Sequence, residues 1–153
     1  MTDKVKKEIK ELIKKCHLNC SIEEFQNKIG WLWISYYKTL SEDFIREFQD
    51  KVDWIYISYN QQLSEDFIKE FQDKVDWYSI SCSQELSENF IREFKDKINW
   101  NYISVFQLLS EDFIREFKNK LDLKYLLKNE KISQIFYNSL IYEKVTRFEL
   151  MEI

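Results

Sequence analysis

The chain has 153 residues, enough for one domain with a continuous core. Aromatics make up 17%, glycine occurs once, as Gly30, and proline is absent. That composition is wrong for a disordered chain, favours a packed core and argues against folds that turn sharply at every strand end. The formal charge of −4 is unevenly spread: Lys4, Lys6, Lys7, Lys10, Lys14 and Lys15 open the chain, while residues 40–108 hold seven Lys/Arg against fourteen Asp/Glu. So acidic a surface repels phosphate backbones and disfavours direct nucleic-acid binding.

Residues 3–16, DKVKKEIKELIKKC, set Val5, Ile9, Leu12, Ile13 and Cys16 at helical spacing. The expectation is an amphipathic N-terminal cap helix over 1–17, covering the first apolar face of a repeat array. The alternative for a basic amphipathic helix is a membrane surface; Asp3, Glu8 and Glu11 dilute it. The charged opening is not a signal peptide, and no run is long and apolar enough to span a bilayer. Cys16-His17-xx-Cys20 offers three soft ligands, but His17 is the sole histidine and zinc lacks a fourth ligand, so no metal site is read. With Cys82 the cysteines number three, which suits no even disulfide framework and points to a reducing, cytoplasmic setting.

From Leu40 a 23-residue unit recurs: LSEDFIREFQDKVDWIYISYNQQ, then copies opening at Leu63, Leu86 and Leu109. Residues 18–39 are a degenerate first copy, in which Phe25, Ile29, Trp31, Ile34 and Ser35 lie 23 before Phe48, Val52, Trp54, Ile57 and Ser58. The fifth copy fades after Leu121, with Leu123 in place of tryptophan. Ile132, Ser133 and Phe136 echo the start of another copy, and 131–153 reads as a C-terminal cap with Glu143, Lys144, Arg147 and Glu149 on its polar face. The organisation is one repeat domain, 1–153, with five repeats over 18–130. A period of this length signals a solenoid whose units bury their apolar faces on their neighbours.

Within a unit, Ser64 suits a helix N-cap, with Glu65 and Asp66 in the favoured first turn. Phe67, Ile68, Phe71 and Val75 form the apolar stripe, and the helix is expected to run to Val75. Glu65–Lys69 and Glu70–Lys74 are candidate i,i+4 pairs. Asp53, Asp76, Asn99 and Asp122 suit the cap of a second helix. That second half is ambiguous, because Trp54-Ile55-Tyr56-Ile57-Ser58 is β-prone and Val52, Ile55, Ile57 and Asn60 fit a leucine-rich-repeat template. Comparison of the copies favours a helix. Trp54, Ile57, Ser58 and Gln61 share one helical face and recur as Trp77, Ile80, Ser81, Gln84 and as Trp100, Ile103, Ser104, Gln107. The residues that change fall on the opposite face. The fold class is therefore all-α, a right-stacked α-solenoid of short helical hairpins with 23-residue repeats; the alternative is a β/α leucine-rich-like solenoid.

The tryptophans read as packing wedges, and the Ser and Gln series as a hydrogen-bonded ladder along the stack. The divergent face is the candidate site: Leu32, Trp33, Tyr36, Tyr37; Ile55, Tyr56, Tyr59, Asn60; Tyr78, Ser79, Cys82, Ser83; Asn101, Tyr102, Val105, Phe106; Lys124, Tyr125. Stacking would align Trp33, Tyr56, Ser79, Tyr102 and Tyr125 in a ridge. A solvated helix face normally carries Lys, Glu and Gln, whereas interface centres favour aromatics and lack charge. The bland reading is that the neighbouring hairpin covers part of it. No catalytic constellation, phosphate loop or cofactor motif is present in the sequence, and the carboxylates recur at scaffold positions (Glu42, Glu65, Glu88, Glu111), so a non-enzyme is expected.

The string at Trp54–Trp77, WIYISYNQQLSEDFIKEFQDKVDW, resembles tandem short repeats of poorly characterised proteins of large DNA viruses, phages and AT-rich bacteria. The resemblance covers roughly 28–124 and implies a repeat array without implying any chemistry. Taken together, the sequence suggests a non-catalytic scaffold binding a protein partner through Trp33, Tyr36, Tyr37, Tyr56, Tyr59, Tyr78, Tyr102, Phe106 and Tyr125. The rival is a small viral or phage inhibitor whose acidic repeats mimic nucleic acid before a host defence protein. A homodimer through the aromatic face is also open.

Overall fold

The computed structural model describes residues 1–129. The expected C-terminal cap, with Ile132, Ser133, Phe136 and its polar face, lies outside the described residues. Among the described residues every regular element is an α-helix. The chain forms two compact units, Met1–Asp76 and Trp77–Ile153. The first holds α1 (Asp3–Lys15), α2 (Ile22–Lys28), α3 (Trp31–Tyr37), α4 (Glu42–Glu47), α5 (Trp54–Asn60) and α6 (Glu65–Glu70). The second holds α7 (Trp77–Ser83), α8 (Glu88–Glu93), α9 (Trp100–Phe106), α10 (Glu111–Glu116) and α11 (Leu123–Leu126). The fold is an all-α solenoid of short helical hairpins, and the β/α alternative fails because Trp54–Asn60 is helical.

Local chemistry sets each hairpin. Ser41, Ser64, Ser87 and Ser110 cap their helices by accepting the N–H groups of Phe44, Phe67, Phe90 and Phe113. Asp53, Asn99 and Asp122 cap the second helices in the same way. Gly30 stands at that position in the degenerate copy and leaves α3 without a side-chain cap. The first helix is shorter than its apolar stripe suggests. It ends at Glu70, and a tight turn then sends both Lys74 N–H and Val75 N–H to the Phe71 carbonyl, at 2.9 and 3.0 Å. Phe71 and Val75 still reach the core through the turn.

In the first unit α1 packs on α2 and α4, and in both units the second helices pack side by side, α3 on α5, α7 on α9, and α9 on α11. The core of the first unit is built on Phe25, Phe44 and Phe67 with Ile34, Ile45, Ile57 and Ile68. That of the second is built on Phe90 and Phe113 with Ile80, Ile91 and Ile103, and every one of these side chains is at most 1% exposed. Burial of each contributes about 1.5–3 kcal/mol before entropy is set against it. Trp31, Trp54, Trp77 and Trp100 each lie 5.0 Å from the Phe one repeat onward, Phe48, Phe71, Phe94 and Phe117, as wedges. The indole N–H of Trp54 donates to the Gln49 carbonyl at 2.9 Å and that of Trp100 to the Lys95 carbonyl at 3.0 Å.

The Ser and Gln series forms a ladder. Gln61 accepts the Leu40 N–H at 2.8 Å and donates to the Lys38 carbonyl at 2.8 Å. Gln107 repeats this with the Leu86 N–H at 3.0 Å and the carbonyls of Gln84 and Ser81 at 2.8 and 3.2 Å. Ser35, Ser58, Ser81 and Ser104 accept the N–H groups of Asp53, Asp76, Asn99 and Asp122, each 18 residues on. The rung that follows Gln107 is Asn129, which donates to the carbonyls of Ser104 and Gln107 at 2.9 Å each.

A second ladder runs along the first helices. Glu42 accepts the Ser64 N–H at 2.7 Å, and Glu88 the Ser110 N–H at 2.6 Å. Glu8 of α1 does the same for Ser41, taking its N–H at 3.0 Å and its hydroxyl with the other oxygen. The cap helix thus occupies the place of a preceding repeat, with Val5, Ile9 and Leu12 buried beneath it. This burial removes the membrane-surface alternative, because no apolar face of α1 is left to insert. Ion pairs link neighbouring repeats: Arg46 reaches Glu70 at 2.8 Å, Arg92 reaches Glu116 at 2.9 Å, and Lys74 reaches Asp50 at 2.9 Å. Glu70 and Lys74, expected from their spacing to pair with each other, therefore bond to different residues of the preceding repeat.

Candidate functional site

The face opposite the ladder carries the variable residues of the second helices. In the first unit, α3 and α5 contain no charged residue. Leu32, Trp33, Tyr36 and Tyr37 on α3, and Ile55 and Tyr59 on α5, are 43–66% exposed. The neighbouring hairpin therefore leaves most of this face open. Tyr36 ties the two helices together: its ring lies 4.9 Å from Tyr56 at 88° and 4.4 Å from Tyr37 at 68°, both edge-to-face. Trp33 packs 5.8 Å from Tyr37, and the Lys38 ammonium sits 4.6 Å over the Trp33 ring. Tyr56, half-buried, is the floor between the two helices.

In the second unit the face is smaller and more polar. Tyr78 and Phe106 are exposed, and Tyr102 and Tyr125 are half-buried. Tyr78 and Tyr102 rings meet edge-to-face at 4.5 Å with their hydroxyls hydrogen-bonded, and Tyr102 stacks on Phe106 at 5.9 Å. The Tyr78 hydroxyl, followed by desolvation, pushes the Tyr102 phenol up to about 12. Ser79 does not belong to the face. It is 3% exposed, and its carbonyl accepts the Ser83 hydroxyl and the Cys82 thiol. Ser79 therefore drops out of the expected row of Trp33, Tyr56, Ser79, Tyr102 and Tyr125, and in the first unit the exposed Tyr36, Tyr37 and Tyr59 stand three or four residues, about one turn, beyond the Trp33 and Tyr56 positions.

His17 has a structural task. Its backbone is left-handed (φ 51°), and it closes α1 in a Schellman motif: the Leu18 N–H bonds the Ile13 carbonyl and the His17 N–H the Lys14 carbonyl, at 3.0 and 3.2 Å. Cys16 and Cys20 are half-buried free thiols. Among the described residues no group of three His, Cys, Asp or Glu side chains is placed to hold a metal. Nor, among the described residues, is any helix long and apolar enough to cross a membrane. No family model, curated protein or solved structure matches this chain.

Proposed function

We propose that this chain is a non-catalytic scaffold that binds a protein partner through the exposed aromatic face of its second helices. The observation that carries this reading is the α3–α5 patch, six large apolar side chains side by side on two uncharged helices. Contiguous apolar surface of this kind marks interaction sites, and Tyr and Trp are the residues that carry most binding energy at interface centres. The unit-two cluster around Tyr78, Tyr102 and Phe106 extends the same chemistry. A reducing, cytoplasmic setting belongs to the reading and agrees with the free thiols Cys16, Cys20 and Cys82.

The acidic-mimic reading is less well supported. A mimic of nucleic acid needs a regular row of unpaired anions. Glu42, Asp43, Asp50, Glu70, Glu88 and Glu116 instead accept hydrogen bonds from Ser64, Lys4, Lys74, Arg46, Ser110 and Arg92. Site-specific photocross-linking tests the proposal. A benzophenone side chain at Tyr59 should cross-link a protein in host-like lysate, and the same group at the exposed Lys118 should not. Equal adducts from both positions, or adducts from Lys118 alone, would contradict it.

A further inference from the structure

Tyr78 of α7 and Tyr102 of α9 make a contact that no other tyrosine pair among the described residues makes. Their rings meet edge-to-face at 4.5 Å and 69°, and their hydroxyls are hydrogen-bonded to each other. Tyr36 has ring contacts of the same kind, 4.4 Å from Tyr37 and 4.9 Å from Tyr56. Among the described residues no hydrogen bond joins the hydroxyls of those pairs. The difference matters for bond formation between rings. A phenoxyl radical spreads its unpaired electron over the oxygen and the ortho and para carbons. The para carbon of tyrosine bears Cβ, so the ortho carbons, the two Cε atoms, are left for coupling. Each Cε adjoins the carbon that bears the hydroxyl. Hydroxyls in contact therefore bring a Cε edge of one ring to the other, and ring contact without hydroxyl contact sets no such approach.

The surroundings fit the same chemistry. Tyr78 is 53% exposed and open to a diffusing oxidant. Tyr102 is half-buried and backed by Phe106, stacked 5.9 Å away at 10°. Packing of α7 on α9 keeps the two side chains together. Exposed side chains reorient in picoseconds to nanoseconds, so the 69° between the rings is no barrier to coupling. The Tyr78 hydrogen bond pushes the Tyr102 phenol up to about 12, so Tyr102 keeps its proton throughout the neutral range.

We propose that Tyr78 and Tyr102 form an oxidative modification site, at which a haem-peroxidase type oxidant with hydrogen peroxide joins them as dityrosine and staples two successive repeats. Each phenol gives up one electron and its hydroxyl proton. The two phenoxyl radicals form one Cε–Cε bond, and the hydrogen on each joined Cε passes to its own oxygen as the rings regain aromaticity. Hydrogen peroxide takes up the two electrons and two protons and becomes two waters. The staple links positions 24 apart in the chain, which restricts the unfolded state as other covalent cross-links do. The site is independent of the proposed partner binding.

The test treats the dilute chain with a haem peroxidase and hydrogen peroxide. N-acetyltyrosine in a parallel reaction verifies that the oxidant couples phenols. The expected product is a monomer lighter by two hydrogen atoms that shows dityrosine fluorescence. Trypsin cleaves after Arg92, Lys95 and Lys97, so the two tyrosines part unless they are joined, and mass spectrometry reads the joined peptides. The Tyr78–Tyr102 link should exceed any other tyrosine link several-fold. It should be lost in Tyr78→Phe and in Tyr102→Phe, each with unchanged helical circular dichroism, and kept in Tyr36→Phe. The linked monomer should unfold at higher urea than Tyr78→Phe treated alike. Absence of the link while N-acetyltyrosine couples, a dominant link at Tyr36, or a thioether from Tyr102 to Cys82 in its place would each overturn the proposal. Equal urea midpoints would overturn the staple.

Discussion

Gln107→Leu isolates the energetics of the ladder. Gln107 is 4% exposed, and its amide holds the Leu86 N–H at 3.0 Å and the Gln84 carbonyl at 2.8 Å. Leucine fills nearly the same volume, so the cavity contribution is small and the loss is mainly of hydrogen bonds. Each backbone group left buried without a partner costs about 1–3 kcal/mol, so two give about 2–6 kcal/mol. The Ser81 carbonyl, held at 3.2 Å, adds a smaller part. Against a total of about 5–15 kcal/mol for a typical domain, this is a severe loss. Urea denaturation followed by circular dichroism, with the exposed Gln62→Leu as control, measures it. The control should change stability by less than about 0.5 kcal/mol. A Gln107→Leu loss below about 1 kcal/mol would refute the reasoning, because it would mean these groups find other partners at no cost.

Four further outcomes are expected from the geometry. Gly30→Asp should stabilise by about 0.5–1 kcal/mol in thermal unfolding, since it adds the missing α3 cap and removes backbone freedom from the unfolded chain; an added Cβ meets only Trp33 Cβ, at 3.5 Å. His17→Gly should raise stability by roughly 0.5–1 kcal/mol, because a left-handed backbone is costly for any residue with a Cβ. In spectrophotometric titration one phenol should ionise near pH 12 rather than 10, and Tyr78→Phe should bring it down. Since folding raises that pKa, its contribution is fully present below pH 10 and is lost as pH rises towards 12. The Lys4 hydrogen bond and charge hold the Asp43 carboxyl below its ordinary 3.8, and the Ser21 N–H and Lys28 hold that of Glu24 below 4.5. Their contribution exists above those values and fades as pH falls through the lowered ones, so Asp43→Asn with Glu24→Gln should flatten the acid limb of stability against pH.

Much of the fold was legible because the repeat states each decision several times. A single copy of WIYISYN reads as a strand; five copies reveal a constant face and a changing face at helical period, which a strand cannot produce. Caps were legible because Ser, Asp and Asn stand at fixed offsets before apolar runs. Three features were not. Asn129 lies 22 residues after Gln107, one short of the period, because α11 ends after four residues and the next turn brings Asn129 back under Ser104. The ladder role of Glu42 and Glu88, and of Glu8 in the cap, was hidden among carboxylates that look like solvated surface. The Glu70–Lys74 pairing was misplaced because stacked repeats bring Arg46 beside Glu70 and Asp50 beside Lys74, a proximity that counting along one helix does not register. For the candidate site, Trp33, Tyr36, Tyr37, Tyr59, Tyr78 and Phe106 are exposed as the variable face required. The burial of Ser79 was missed because its column holds Trp or Tyr in the other copies, where a long side chain reaches out from a half-buried position; serine ends at the helix surface.

The most direct measurement is affinity capture from nuclease-treated host-like lysate at low and high salt. It compares the chain with a variant carrying Trp33→Ser, Tyr36→Ser, Tyr37→Ser and Tyr59→Ser, after circular dichroism has established that the variant keeps its helices. Apolar anchoring predicts a protein captured at both salt concentrations and lost with the variant. Capture that vanishes at high salt yet survives in the variant would contradict the account and assign binding to the acidic helices.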